Sequence, residues 1–229
     1  MELEKVLRPA ELIMAPYPAK VITLATGKKM IVRQAEPDDV PAILKAVKPT
    51  IKIERDYYDI VGARVYAELL GWLRHRVRNE YCLIGQVDGI LVGLVNGRML
   101  SKRIGISLHT LAIDRGLRVG AHLFAAKMEH HIEYLEQHEV WITAESPIGF
   151  RRWMIEYELI KQPNIQHELG GADSFKLTRE LYFKHKPRLV SGTRPAPPEM
   201  LAHAKKEIII ADEKTISEQI CGAKGAWRQ

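Results

Sequence analysis

Cysteine is nearly missing from this sequence: Cys82 and Cys221 are the two in 229 residues. They lie far apart and in no metal-ligand spacing, which excludes a disulfide framework and a cysteine-ligated zinc site and points to a reducing compartment. No run approaches the ~18 apolar residues of a membrane span. The N-terminus, MELEKVLRPA, carries acidic residues and a proline where a secretory signal needs a basic start and an apolar stretch. A cytoplasmic protein with no membrane partner is therefore expected. A strong charge of one sign is lacking too: Lys and Arg number 34 against 28 Asp and Glu. That surplus suits an anionic ligand and falls short of the basic character of a nucleic-acid binder. No internal repeat interrupts the chain. What is present, 46% hydrophobic and 27% charged residues, is ordinary for a globular protein with one substantial core and room for an appendage.

Residues 1–28 hold Pro9, Pro16 and Pro18 without sustained periodicity and read as an N-terminal arm. KMIVRQA (Lys29 to Ala35) is a β-rich run, followed by a helix capped at Asp38 or Asp39 with Val40, Ile43, Leu44 and Val47 on one side. Apolar positions at helical spacing from Arg55 to Arg78 predict a second, longer helix. Tyr81 to Leu100 is two apolar runs joined by Asp88-Gly89, a strong hairpin signal. Gly105 to Asp114 is a further strand, Gly120 to His138 a long helix, Glu139 to Glu145 a strand, and SPIGFRRWMIEY a short helix with Pro147 in its first turn. YELIKQ and Asp173 to Phe183 read as closing strands. A basic, proline-rich linker (184–198) and two short helical patterns (199–211 and 212–221) complete the chain.

The segment DRGLRVGAHLF (Asp114 to Phe124) is thus a strand-to-helix turn. A helix N-terminus leaves backbone N–H groups open and carries partial positive charge, and glycine lets phosphate oxygens come close to the chain. Gly116 and Gly120 supply the small residues, and Arg115 and Arg118 supply charge-assisted contacts. Glycine and arginine at such a turn also serve conformation and solvation alone.

The order strand, helix, helix, hairpin, strand, phosphate-type turn, long helix, strand, short helix, strand pair resembles the GNAT superfamily of acetyl-CoA-dependent N-acyltransferases. The resemblance covers about Lys29 to Phe183, and its specific part is the turn Arg115, Gly116, Leu117, Arg118, Val119, Gly120, Ala121. It implies an α+β (α/β) fold with a mixed, mostly antiparallel central sheet flanked by helices (29–183), to which the arm, the linker and a C-terminal helical extension (199–229) are added. It implies acetyl-CoA as co-substrate, its pyrophosphate on the turn and its pantetheine along the backbone of Leu111, Ala112 and Ile113, whose side chains read as buried strand. An unidentified amine is the implied acceptor, and a homodimer the implied assembly. Two departures are visible. Arg118 stands where the family pattern has its first glycine, so its Cβ narrows the approach or its guanidinium replaces amide contacts; the loop before it is shorter, which makes the cradle shallower.

For the chemistry, an amine must lose a proton and the thiolate must receive one. Ser107 falls near a position where some family members carry a glutamate base; His109, two residues on and expected on the same side, is the candidate base because imidazole titrates near neutrality. A histidine satisfied by a hydrogen bond inside the sheet fits the same position. Tyr157 is the candidate acid, and equally an aromatic of the core. Glu54, Asp56, Tyr57, Tyr58 and Asp59 either receive a cationic amine or form a solvated helix start. No metal is expected: His122, His130, His131 and Glu129 share the long helix, but neighbouring residues project about 100° apart. Two other functions compete, a coenzyme A-binding module without turnover, and nucleic-acid or partner binding through the basic stretch Lys184 to Arg194.

Overall fold

Runs of β-branched and apolar residues between turn signals become one eight-stranded sheet. The structure, a computed structural model, describes residues 10–144, 146, 149–170 and 173–222; the expected arm residues 1–9, the helix-start Pro147 and the tail 223–229 lie outside them. The strands are β1 (Lys20–Thr23), β2 (Lys29–Gln34), β3 (Glu80–Val87), β4 (Ile90–Met99), β5 (Ile104–Ala112), β6 (Glu139–Ile142), β7 (Ile160–Lys161) and β8 (Phe175–Thr178), in the order β1-β2-β3-β4-β5-β6-β8-β7. Every neighbouring pair is antiparallel except β5 and β6. The β3–β4 hairpin turns at Asp88 and Gly89, both at positive φ as the Asp-Gly pair requires. The fold class expected from the sequence is the one observed.

Helices cover both faces, which is why all of β3 is buried, Glu80 and Gln86 included. On one face α1 (Val40–Val47) and α2 (Tyr58–Leu73) pack on Ile84, Leu94 and Leu111. On the other, α3 (Val119–Glu129) sets Val119, Leu123 and Ala126 against Leu83, Val92 and Val95. After Glu129 the helix widens by one turn, His130–Tyr134, and stops short of the expected His138. The expected closing strand Asp173 to Phe183 is corrected: only Phe175–Thr178 is strand, and Thr178 then caps α4 (Arg179–Leu189), its hydroxyl accepting from the Leu181 N–H. That helix runs into the stretch expected as linker. The expected helix after β6 is a single wide turn, Phe150–Ile155.

The tail forms α5 (Pro198–Lys206) and α6 (Glu213–Gly222), close to expectation. It is built into the core: Ile209 bridges to Ile90, and Ile216 and Ile220 are buried against the α2 face.

The arm also differs from expectation, because residues 20–23 form an edge strand with Lys20 fully buried. Glu129 explains it. Lys20 Nζ and Tyr17 OH donate to its Oε2 at 2.8 and 2.7 Å, and Arg194 forks onto both oxygens at 2.8 Å. Burial alone would raise the Glu129 carboxyl, but Arg194 and Lys20 outweigh it and hold it near about 2. One carboxylate thus ties the arm and the segment after α4 to α3. Glu129→Ala leaves two cations without their counter-ion and is expected to destabilise the protein by about 3–5 kcal/mol in urea denaturation; a loss below about 1 kcal/mol would show the network to be peripheral.

Candidate active site

Parallel strands β5 and β6 stay paired from Ile104 opposite Glu139 to Ser107 opposite Ile142. There they part, because β6 ends while β5 continues to Ala112. The edge of β5 beyond Ser107 therefore has no strand beside it on that side, and a cavity of about 480 Å³ opens in the gap. Leu108 to Ala112 form one wall and Thr143 and Ala144 another; the turn from Asp114 to Ala121 and the Trp153 ring close it. Trp153 is held by stacking on Phe124 at 4.6 Å and 5°.

The turn leaves a helix start open. Gly116 has φ +99, a conformation open to glycine. Arg118 precedes α3 at φ 59, ψ 22, so it adopts a left-handed backbone of the kind glycine favours, and its side chain does not cap the helix. The first helical hydrogen bond is His122 N–H to Arg118 O, 3.0 Å, which leaves the amides of Val119, Gly120 and Ala121 at an open helix start beside the cavity. A methyl on Gly120 would meet Ala112 and Thr110 only at ordinary contact, 3.5 and 3.7 Å, so packing does not demand glycine there. Among the described residues the exposed Arg118 side chain has no carboxylate partner. Arg115 is committed: its Nη1 lies 2.8 Å from Asp56 Oδ2 and its guanidinium stands 5.5 Å over the Tyr58 ring. Tyr58 OH in turn donates to Ala112 O at 2.6 Å.

A bulge shapes the floor. β4 pairs Val95 with Thr110 and Gly97 with Ser107, so Asn96 alone faces both Leu108 and His109. Asn96 Oδ1 accepts the His109 N–H at 2.9 Å, and its Nδ2 donates to Glu68 Oε2 at 2.5 Å. Glu68 Oε1 lies 2.9 Å from His109 Nε2. His109 is 3% exposed and lines the cavity. Behind it Lys127 is fully buried, its Nζ donating to His109 O at 2.9 Å; burial brings this ammonium down to about 7. The result is a carboxylate-oriented imidazole at the inner end of the cavity.

No known protein-family pattern matches the chain, and no curated protein matches it by sequence. Solved structures do. An uncharacterized protein from Bacillus halodurans superposes with a TM-score of 0.54 at 12% identity over 75% of this chain and 94% of that one. A spermidine N-acetyltransferase from Vibrio cholerae, in complex with CoA and spermine, gives 0.48 at 13% identity over 67% and 98%. Mycobacterium smegmatis RimJ, in complex with CoA-disulfide, gives 0.47 at 9% identity over 77% and 98%. The mixed sheet, the parting of its one parallel pair and the left-handed turn opening the central helix settle the architecture.

The fold, a mixed and mostly antiparallel sheet flanked by helices, is shared with that Bacillus halodurans protein.

Within this fold the structure brings His109, Leu111, Ala112, Arg115, Gly116, Arg118, Val119, Gly120 and Ala121 to one cavity. Ile113 lies in the core, its N–H given to Val92 O at 2.8 Å, and Leu117 packs with the α3 face. Tyr157 is not brought to the cavity: it is 3% exposed, edge-on to Phe124 at 5.5 Å, with its hydroxyl unpartnered among the described residues. Ser107 and His109 do not share a side. Gly97, opposite Ser107, faces His131 and Tyr81, where an added Cβ would come within 2.8 Å, whereas His109 reaches Glu68 on α2. Of the acidic and aromatic group expected near the acceptor, Asp56 and Tyr58 line the cavity. His130 and His131 are core residues, and His122 lies near Ser191 Oγ at 3.1 Å. Sequence reasoning missed Glu68, Asn96 and Lys127. Glu68 was detectable as an acid on the inward stripe that runs Val61, Val65, Leu69 and Trp72. Among the described residues no helix is long and apolar enough to cross a membrane.

Proposed function

We propose that this chain is an acyl-CoA-dependent N-acyltransferase that moves an acetyl or other short acyl group to an amine by direct attack. The observation that carries this reading is the alignment of the β5–β6 gap with the open amides of Val119, Gly120 and Ala121. An extended pantetheine would lie in the gap, and the diphosphate would sit at the helix start with the Arg118 guanidinium. His109 takes a proton from the attacking ammonium, and Glu68 orients the ring and balances the imidazolium. The amine nitrogen then bonds to the thioester carbon, the C–S bond breaks, and the coenzyme A thiolate leaves with the electron pair and takes up the proton that the acylated nitrogen gives up.

The nucleic-acid reading loses support because the basic stretch is engaged within the protein. Lys184 pairs with Glu158, Lys186 with Glu133 and Arg194 with Glu129.

Calorimetric titration with acetyl-CoA and free coenzyme A tests the turn before any acceptor is known. Arg118→Glu is expected to weaken acetyl-CoA binding about 10- to 100-fold, the loss of a charge-assisted contact of roughly 1.5–3 kcal/mol, while Lys102→Glu on the β4–β5 loop leaves it unchanged. Equal affinities in the two variants would remove the turn from the binding site. Tight binding without transfer to any of a broad panel of amines would favour a coenzyme A-binding module.

A further inference from the structure

Beyond His109, on the α2 face of the sheet, three carboxylates gather around one guanidinium. Glu80 opens β3 directly opposite Arg98 on β4, and Asn96, two residues along β4, shares that side and ties to Glu68. Glu168, from the loop between β7 and β8, makes an ion pair with Arg98. Leu169, its chain neighbour, lines the cavity, which places this loop between the cluster and the gap.

Each member but one has a partner. Glu68 holds His109 and Asn96, and Arg98 holds Glu168. Glu80 is 9% exposed, and among the described residues its carboxyl makes no hydrogen bond or ion pair, although the Arg98 charge opposite it acts on it. Burial first, and repulsion from Glu68 next, push this carboxyl up to about 8. A buried carboxyl without a donor is unfavourable by itself and is relieved by a ligand that supplies N–H groups and positive charge. Solvent reaches the cluster, since the side chains of Glu68, Glu168 and Arg98 remain 21–30% exposed.

Resting on the acyltransferase reading, we propose that the acceptor is a short linear diamine, whose reacting amine meets His109 while its second ammonium is received among Glu68, Glu80 and Glu168. Two cationic centres match the local surplus of carboxylates. An amine with an apolar tail would leave Glu80 buried without a partner.

The test compares 1,4-diaminobutane with n-butylamine, by calorimetry on the coenzyme A-saturated protein and by acetyl transfer. The diamine is expected to bind and react with at least ~10-fold lower Kd and KM, the equivalent of one charge-assisted contact of about 1.4 kcal/mol. Glu80→Gln, nearly isosteric, and Glu168→Gln, at a partly exposed position, should each shrink that ratio severalfold; their acetyl-CoA affinity checks that they fold. If the two amines behave alike, or the ratio survives both substitutions, the diamine site is wrong and the acyltransferase reading stands. Diamine binding that depends on Glu80 without any acetyl transfer would do the opposite, keeping the site and removing the reaction.

Discussion

His109→Ala is expected to lower kcat for acetyl transfer by roughly 10²- to 10⁴-fold, the range for removing a general base, while the Kd for acetyl-CoA stays the same. Both halves follow from position. The imidazole lines the inner end of the cavity with Nε2 on Glu68, whereas the phosphate-type turn lies at the start of α3. Added imidazole should restore part of the rate, because the truncated side chain leaves space where the ring stood. Glu68→Gln is expected to lower kcat less, on the order of 10- to 100-fold, since an amide still orients the ring but does not balance an imidazolium. A full rate in His109→Ala would move the proton transfer to solvent or another group. A lost acetyl-CoA affinity in the same variant would instead mean that the bulge at Asn96 had collapsed and the β5 edge with it.

The parts of this site that were legible in the sequence are those written in local signals. Asp88-Gly89 announced the hairpin, and the glycine and arginine spacing after Ile113 announced the turn, because positive φ and open helix amides are properties of a few consecutive residues. Arg118 shows the limit of such signals. The sequence suggested an obstructing Cβ; the structure keeps the left-handed path and accepts about 1–2 kcal/mol of backbone strain. What stayed hidden depends on contacts between distant segments. The bulge that turns His109 away from the side of Ser107 is a matter of register between β4 and β5. The burial of Lys20 depends on Glu129 and Arg194, more than 60 residues from each other. Thr178 to Leu189 has strand-like composition at its start, and the cap at Thr178 decides for helix. Glu80 precedes the expected strand start at Tyr81, and its neighbours Arg98 and Glu168 come from strand register and a distant loop.

Acid is expected to unfold this protein through two histidines beside α3. His130 and His131 are fully buried, and burial pushes both down to about 3, against the opposing pull of Glu129 on the first and of the Gln137 hydrogen bond on the second. Their surroundings offer an imidazolium little: His130 packs edge-on to Tyr81 at 4.4 Å and Tyr17 at 5.3 Å, with both ring nitrogens unpartnered among the described residues. His131 Nδ1 has Gln137 Oε1 at 2.5 Å, and Lys127 adds repulsion. In the unfolded chain both titrate near pH 6.5. A folded-state value below the unfolded one means that the unfolded state binds protons first, so the stability is fully present above pH 6.5 and is lost as pH falls toward 3. Each ring contributes a slope of up to roughly 1.4 kcal/mol per pH unit in that window, so the loss by pH 4 reaches several kcal/mol, more than any single substitution considered above. Urea denaturation at pH 8, 6 and 4 measures it directly. His130→Phe keeps the ring and removes its titration, and should flatten the slope below pH 6 even where the larger ring costs about 1–3 kcal/mol at pH 8. A stability that stays level from pH 7 to 4.5 in the unsubstituted protein would mean that water or an anion reaches these rings, and that the turn after Glu129 opens far more easily than its packing suggests.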